Sequence, residues 1–258
     1  MLPDERSALR GFVARLIGFA PERAQAVEDA LQAIEIAATY RAALVLCGDG
    51  DLVQVARDLH SHARGDERPF VLCEPQRRDG GTGAQLESRR TAADAIDAAT
   101  GGTVCVRARW LPRYLAELVA AVRDARIQLV TCGQQPPKLT GLVVAPIQIP
   151  ALATRTHELD QIIDEYADEA RVALQISTPL KDADRHWVRA HSATSLPEVE
   201  KGAWRILALR QTGNIAGAAE LLGMGHTSLG EWLHRRRVPV LRPSWHRGAD
   251  LKAHRENS

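Results

Sequence analysis

No two of the four cysteines, Cys47, Cys73, Cys105 and Cys132, stand close enough to form a CxxC pair. Each lies in or at the end of a short apolar, strand-like run. The pattern predicts buried thiols in a reduced, cytoplasmic protein, and no metal site. No apolar run approaches the roughly 20 residues of a membrane span, so no membrane partner is expected. Leu2 to Arg15 mixes charges with apolar residues, which predicts no secretory leader. The nine histidines are scattered, and His60 and His62, two apart, would point in different directions from a helix. HExxH, GxSxG and Cys-His arrangements are absent, which removes the commonest signatures of metal-assisted and nucleophilic hydrolysis. There is no internal repeat. The formal net charge is only +1, too little for general adhesion to polyanions.

That small net charge hides an asymmetry. Residues 201–258 hold ten Lys/Arg against four Asp/Glu, a local charge of +6, which leaves −5 on the first 200. A basic end on an acidic body suits local contact with phosphates. With 258 residues and 45% hydrophobic content, the chain has room for one large domain, or a medium and a small one, with a filled core.

Residues 4–40 read as helical, with Pro21 opening a second helix that carries Val27, Leu31, Ile34 and Ile36. Short apolar runs then alternate with helical stretches. The runs are Ala42–Cys47, Phe70–Cys73, Thr103–Val106, Ile127–Cys132 and Leu142–Ile149; the helices are Leu52–His62, Thr91–Ala99 and Pro112–Arg123. This alternation predicts an α/β fold, a mostly parallel sheet sandwiched by helices. After Pro150 only helices follow, at Glu158–Leu174, Lys181–Ala190 and Pro197–Leu209. From Pro239 the chain loses periodicity and reads as a flexible basic tail.

Gly213 to Arg237 (GNIAGAAELLGMGHTSLGEWLHRRR) carries the most specific pattern. Ile215, Ala218, Ala219 and Leu222 share one face of a short helix, Gly223-Met224-Gly225 breaks it, and a second helix follows with Leu229, Trp232 and Leu233 as its buried positions. The layout is a helix-turn-helix, whose second helix would enter a DNA major groove. The spacing of Gly-Asn, Ala-Ala, Leu-Gly-Met and Ser-Leu resembles the Fis-type helix-turn-helix that ends many sigma-54-dependent transcription activators. That resemblance implies double-stranded DNA as partner. His226, Thr227, Glu231 and His234 would face the groove, with Ser228 near a phosphate and Arg235, Arg236 and Arg237 gripping the backbone. Glu231 would accept from a cytosine amino group or stand as a solvated carboxylate. Trp232 would pack on the preceding helix. Where the family has basic residues, this chain has Gly230 and Glu231, which implies a different target. Val199, Ala203, Ile206 and Leu207 on the Pro197–Leu209 helix are the candidate contact for a homodimer, as in the Fis family, or else a packing stripe within the chain.

A broader outline over residues 25–210 resembles the AAA+ domain of the same activators and its helical lid. Ala43–Gly48 is similar to the strand before the phosphate loop, Val55–His60 to the helix after it, Gly80–Gln85 (GGTGAQ) to a worn GAFTGA loop, Ala98–Val104 to the approach to the second nucleotide motif, and Ile147–Leu152 with Arg155 to the start of the lid. The implied divisions are an α/β domain at 1–150, an all-α lid remnant at 151–194, a Fis-type module at 195–238 and a tail at 239–258.

The departures set the expected function. A phosphate loop needs GxxxxGK[ST], whose backbone N–H groups cradle phosphates and whose lysine reaches the outer ones. Here Gly48, Asp49, Gly50 and Asp51 stand in that place, with no lysine and two carboxylates that would repel phosphates. The family's Asp-Glu pair, which holds magnesium and activates water, is replaced by Arg107 and Ala108. Gly133 to Gly141 is too short for the family's paired arginines, the lid arginine aligns near Pro197, and the GAFTGA phenylalanine is missing. The expectation is a sequence-specific DNA-binding transcription regulator that is not an enzyme and takes no cofactor. Asp49, Asp51 and Arg107 would then simply cap helices and pair near the strand ends. Two other readings fit the same residues. One is a nucleotide-dependent sigma-54 activator with altered motifs. The other is a non-catalytic partner subunit of an intact AAA+ relative. RNA polymerase is a further candidate partner.

Overall fold

The computed structural model describes residues 3–75, 87–124, 126–137 and 146–238. The GAFTGA-like stretch Gly80–Gln85, residues 142–145 of the last expected strand and the tail from 239 lie outside them.

Two helices open the chain, α1 (Pro3–Ile17) and α2 (Ala24–Tyr40). They part at Gly18, whose φ of +144° no β-carbon tolerates well. Pro21 starts a single 3-10 turn, Pro21–Arg23, and α2 proper begins after it. From there the chain alternates: β1 (Leu44–Cys47), α3 (Val53–Arg64), β2 (Phe70–Cys73), β3 (Glu87–Arg89), α4 (Ala92–Ala98), β4 (Thr103–Arg107), α5 (Leu111–Arg123), β5 (Gln128–Gly133) and β6 (Ile147–Gln148). Thr91 caps α4 by accepting from the Asp94 N–H at 3.1 Å.

The six strands form one sheet in the order β3-β2-β4-β5-β1-β6, and every pairing is parallel. A parallel sheet needs cover on both faces, and its inner strands are accordingly buried along nearly their whole length. Ile96 of α4 and Leu111, Tyr114 and Leu118 of α5 form a buried cluster with Val71, Val104, Val106 and Leu129 of the sheet. The alternate strand residues Leu72, Cys105 and Val130 are buried as well, and α3 packs on β2, β4 and β5. β3 was not expected. Its residues, Glu87-Ser88-Arg89, carry no apolar signal because an edge strand paired only to β2 has little face to bury.

Five helices follow: α6 (Leu159–Ala173), α7 (Asp182–His191), α8 (Leu196–Thr212), α9 (Ile215–Leu221) and α10 (His226–Arg236). The described residues fall into two compact units. One holds those up to 162 together with 193–199; the other holds 163–192 and 200–238. In the second unit the buried carboxylate of Asp184 on α7 accepts from Arg210 of α8 at 2.6 Å. Among the described residues no helix is long and apolar enough to cross a membrane.

All four thiols are buried. Burial, with the charges of Glu117 and Cys105 adding to it, pushes the Cys73 thiol up to about 12. A hydrogen bond with Cys105, 3.7 Å away, and burial raise Cys132; burial raises Cys47. Thiolate is the reactive form. The native chain should therefore show no rapid reaction with Ellman's reagent at pH 8, and all four thiols should titrate once it is unfolded in guanidinium. Rapid labelling of the native chain would show that these strands open on the assay's timescale.

Candidate nucleic-acid interface and strand-end site

In a parallel sheet every strand ends on the same edge, and ligands favour that edge where the chain's crossovers change direction. β1 is such a place. Its crossover through α3 leads toward β2 on one side, while β6, the last strand, pairs on its other side. Gly48–Asp51 follows β1 there.

Charge pairing closes this loop. Asp51 accepts from the Val53 N–H at 3.3 Å through one oxygen, and from Arg107 at the end of β4 at 2.7 Å through the other. Arg107 also donates to Glu74 at 2.5 Å, and Arg109 lies 3.4 Å from the same carboxylate. Asp49 is exposed and takes no part in this network. The sequence reading anticipated the Asp51–Arg107 pair but missed Glu74. The register accounts for it: Cys73 of β2 faces Val106 of β4, so the residues that follow, Glu74 and Arg107, emerge side by side. Burial alone would lower the Arg107 pKa, but the bonds and charges of Asp51 and Glu74 outweigh it and raise it. The guanidinium is a fixed cation whose charge is already neutralised.

The backbone of the loop is also packed. Gly48 donates to the Gly133 carbonyl at 3.0 Å, and a β-carbon on Gly48 would stand 2.9 Å from the Ile149 side chain. Ala108 donates to the Cys132 carbonyl at 2.7 Å, and its methyl group lies against Gly133. Gly50 has φ +83°, and a β-carbon there would meet the Ser195 hydroxyl at 2.7 Å. Gly50→Ala should therefore lower stability by about 1–3 kcal/mol, from backbone strain and contact together. Adding Ser195→Gly should restore part of that loss, the contact share, but not the strain. Urea midpoints of the three proteins check this, and an unchanged midpoint for Gly50→Ala would show that the loop is free to move away.

The helix pair α9–α10 is built by local rules. Asn214 caps α9 by accepting from the Gly217 N–H at 2.7 Å. Gly223 takes a left-handed φ of +63°, and Met224 donates to the Ala219 carbonyl at 2.9 Å, which ends the helix. Ala218 and Ala219 of α9 and Leu229, Trp232 and Leu233 of α10 are buried. The Trp232 ring meets Trp187 of α7 edge-on at 5.8 Å, and the Arg205 guanidinium of α8 lies 4.7 Å over it. Trp232 is thus a structural anchor and is turned away from solvent.

The opposite face of α10 is open. His226, Thr227, Ser228, Glu231, His234 and Arg235 are exposed, as is Arg237, which ends the helix in a left-handed conformation at φ 51°. Thr227, Glu231 and His234 fall four and three residues apart, on one stripe. The arginine trio is divided. Arg235 and Arg237 point to solvent, whereas Arg236 is half-buried and donates to the His191 carbonyl of α7. Of the three arginines that the sequence suggested as a phosphate grip, two are exposed, Arg235 with a 3.4 Å bond to the Glu231 carbonyl, and one is half-buried. The proposed dimer stripe is also altered: Val199, Ala203, Ile206 and Leu207 are all buried within the chain itself, which makes the stripe a packing surface and removes it as a contact for a second copy.

No protein-family profile matches the chain, and neither does any curated protein. Two solved structures of NtrX from Brucella abortus resemble it distantly. The one in complex with ADP is 15% identical, with a TM-score of 0.47 over 91% of this chain and 73% of NtrX. The other is 14% identical, with a TM-score of 0.46 over 88% and 70%. Likeness at that level leaves the function to be argued from the residues themselves.

Proposed function

We propose that the chain is a sequence-specific, DNA-binding transcription regulator in which α9 and α10 form a helix-turn-helix and the sheet unit is a degenerate AAA+-like body without ATP hydrolysis. The observation that carries the DNA reading is the division of α10. One face is anchored by Leu229, Trp232 and Leu233, and the other presents Thr227, Glu231, His234 and two unburied arginines. A rigid helix with a polar face and cations at its end has the chemistry for base-edge contact flanked by phosphate contact. The ion-paired loop at Gly48–Asp51 supports the second half of the reading. Asp51 and Glu74 share Arg107 where a triphosphate and its magnesium would need a lysine and free carboxylates.

One helix pair of this size binds duplex weakly, so two copies reading half-sites about one turn apart are part of the proposal. Their contact uses a surface other than the α8 stripe. Selection of bound duplexes from a random pool by the full chain tests the reading, alongside magnesium-ATP turnover on the same preparation. The expected result is an enriched, two-fold site and no turnover. A pool that stays random at low salt would sink the DNA assignment; measurable hydrolysis would sink the degenerate-body assignment and favour the activator with altered motifs.

A further inference from the structure

The opposite edge of the sheet, where the strands begin, holds a second concentration of positive charge. Arg41 ends α2 in a left-handed conformation (φ 52°, ψ 33°), Arg64 is the last residue of α3, and Arg68 lies in the turn before β2. All three line one cleft of about 570 Å³, together with Ser61 and His62, over a floor of small residues that includes Ala38. The cleft has the volume of a small-molecule site. Among the described residues no Asp or Glu lines it, although the first 200 residues carry a net −5.

Arg64 and Arg68 are held but not neutralised. Arg64 donates to the Gln128 side chain at 2.9 Å and to the Gly101 carbonyl at 3.2 Å, and Arg68 reaches the same carbonyl at 3.4 Å. These acceptors are neutral, and among the described residues none of the three arginines forms an ion pair. Asp66 and Glu67 are exposed in the neighbouring turn and do not line the cleft. Burial first, then the positive charges of Arg68 and Arg41, depress the Arg64 pKa. Arginines at helix C-termini do stabilise the negative ends of α2 and α3. That role accounts for Arg41 and Arg64 but not for Arg68 or for the shared cleft.

We propose that this cleft binds a small anion bearing a diphosphate group, at a site separate from α10 and from the Gly48–Asp51 loop. Planar guanidiniums arranged around a cleft match the several acceptor oxygens of linked phosphates. The diphosphate would come either free or as part of a nucleotide, and a site on the DNA-binding chain would give the regulator a small-molecule input.

Calorimetric titration of the full chain with pyrophosphate and with ADP, in low-salt buffer, tests this. Saturable binding of one anion per chain is expected. Arg41→Gln combined with Arg68→Gln should weaken it at least tenfold, while Asp51→Asn at the other edge should leave it unchanged. ADP binding at least tenfold tighter than pyrophosphate assigns the nucleotide as ligand, and equal affinity assigns the diphosphate alone. Should the double variant lose its native circular dichroism, Arg41→Gln alone takes its place, with a threefold or greater loss expected. Absence of saturable heat with both anions overturns the proposal, as does binding that the arginine variants leave intact. ADP binding lost in Asp51→Asn but kept in the arginine variants would overturn it and the degenerate-body reading together, whereas loss of DNA binding alone would leave it standing.

Discussion

Arg235→Gln combined with Arg237→Asn is expected to weaken duplex binding about ten- to a hundredfold near 100 mM salt, and to do so alike for every sequence. Both side chains are exposed at the end of α10, where on the proposed reading they would meet phosphates and leave base edges to the stripe before them. Asparagine is chosen at 237 because that residue sits at φ 51°, a conformation asparagine adopts more readily than most. Each phosphate contact removed should flatten the plot of log affinity against log salt by about 0.9, so the double variant should lose about two units of slope. Arg236→Gln is expected to behave differently. Its guanidinium is bonded to the His191 carbonyl, so its loss should lower stability more than salt slope. Glu231→Gln should alter preference at one base pair by about 1–3 kcal/mol and leave the slope alone. An unchanged slope in the double variant, measured by fluorescence anisotropy over a salt series, would remove the phosphate-grip role.

Glu158→Ala is expected to destabilise the sheet unit by about 3–5 kcal/mol, because it leaves a buried charge without its partner. Arg155, 2% exposed, donates to Glu158 at 2.7 Å and to the Leu16 and Arg15 carbonyls at 2.8 and 2.9 Å. Glu158 in turn accepts from the Phe19 and Ala20 N–H groups at 3.2 and 3.3 Å. One ion pair thus closes the end of α1 onto the segment that precedes α6. Burial alone would raise the Glu158 pKa; the bond and charge of Arg155 and the two backbone donors outweigh it and hold the carboxyl below its ordinary value. The group binds its proton less readily folded than unfolded. Its contribution is complete above the ordinary glutamate value of about 4.3, and it is lost as pH falls through the lower folded value. Urea midpoints of the wild type and Glu158→Gln, measured from pH 7 to 3, should therefore converge in acid. A constant gap would mean that the carboxylate's charge is not what stabilises the junction.

The two sites differ in how far the sequence disclosed them. The α9–α10 pair is a local construction, with its break at Gly223 and its apolar stripe within 25 residues, and both were readable from neighbours in the chain; the Asn214 cap is local too, but it emerged only from the structure. The Asp51–Arg107 pair was readable because both residues follow apolar strand runs. Glu74 follows such a run too, but its partner lies 33 residues away and depends on β2 pairing with β4, a fact of register that no local pattern encodes. β3 escaped for a related reason: three polar residues on a sheet edge look like loop. The α8 stripe was visible as apolar, yet periodicity says only that a face must be covered, not whether a second copy or the chain's own residues cover it.

Apart from β3, the order of strands and helices along the chain, the buried thiols and the division of α10 into an apolar and a polar face were determined by the sequence alone, because each follows from the alternation of apolar and polar residues over one or two turns. The tertiary structure alone decided that Arg236 bonds α7 while Arg235 and Arg237 stay exposed, that the α8 stripe is buried within the chain, and that Arg41 joins Arg64 and Arg68 in one cleft. Those outcomes rest on contacts between residues far apart in the chain, set by how the elements pack, and packing geometry is a property of the folded whole.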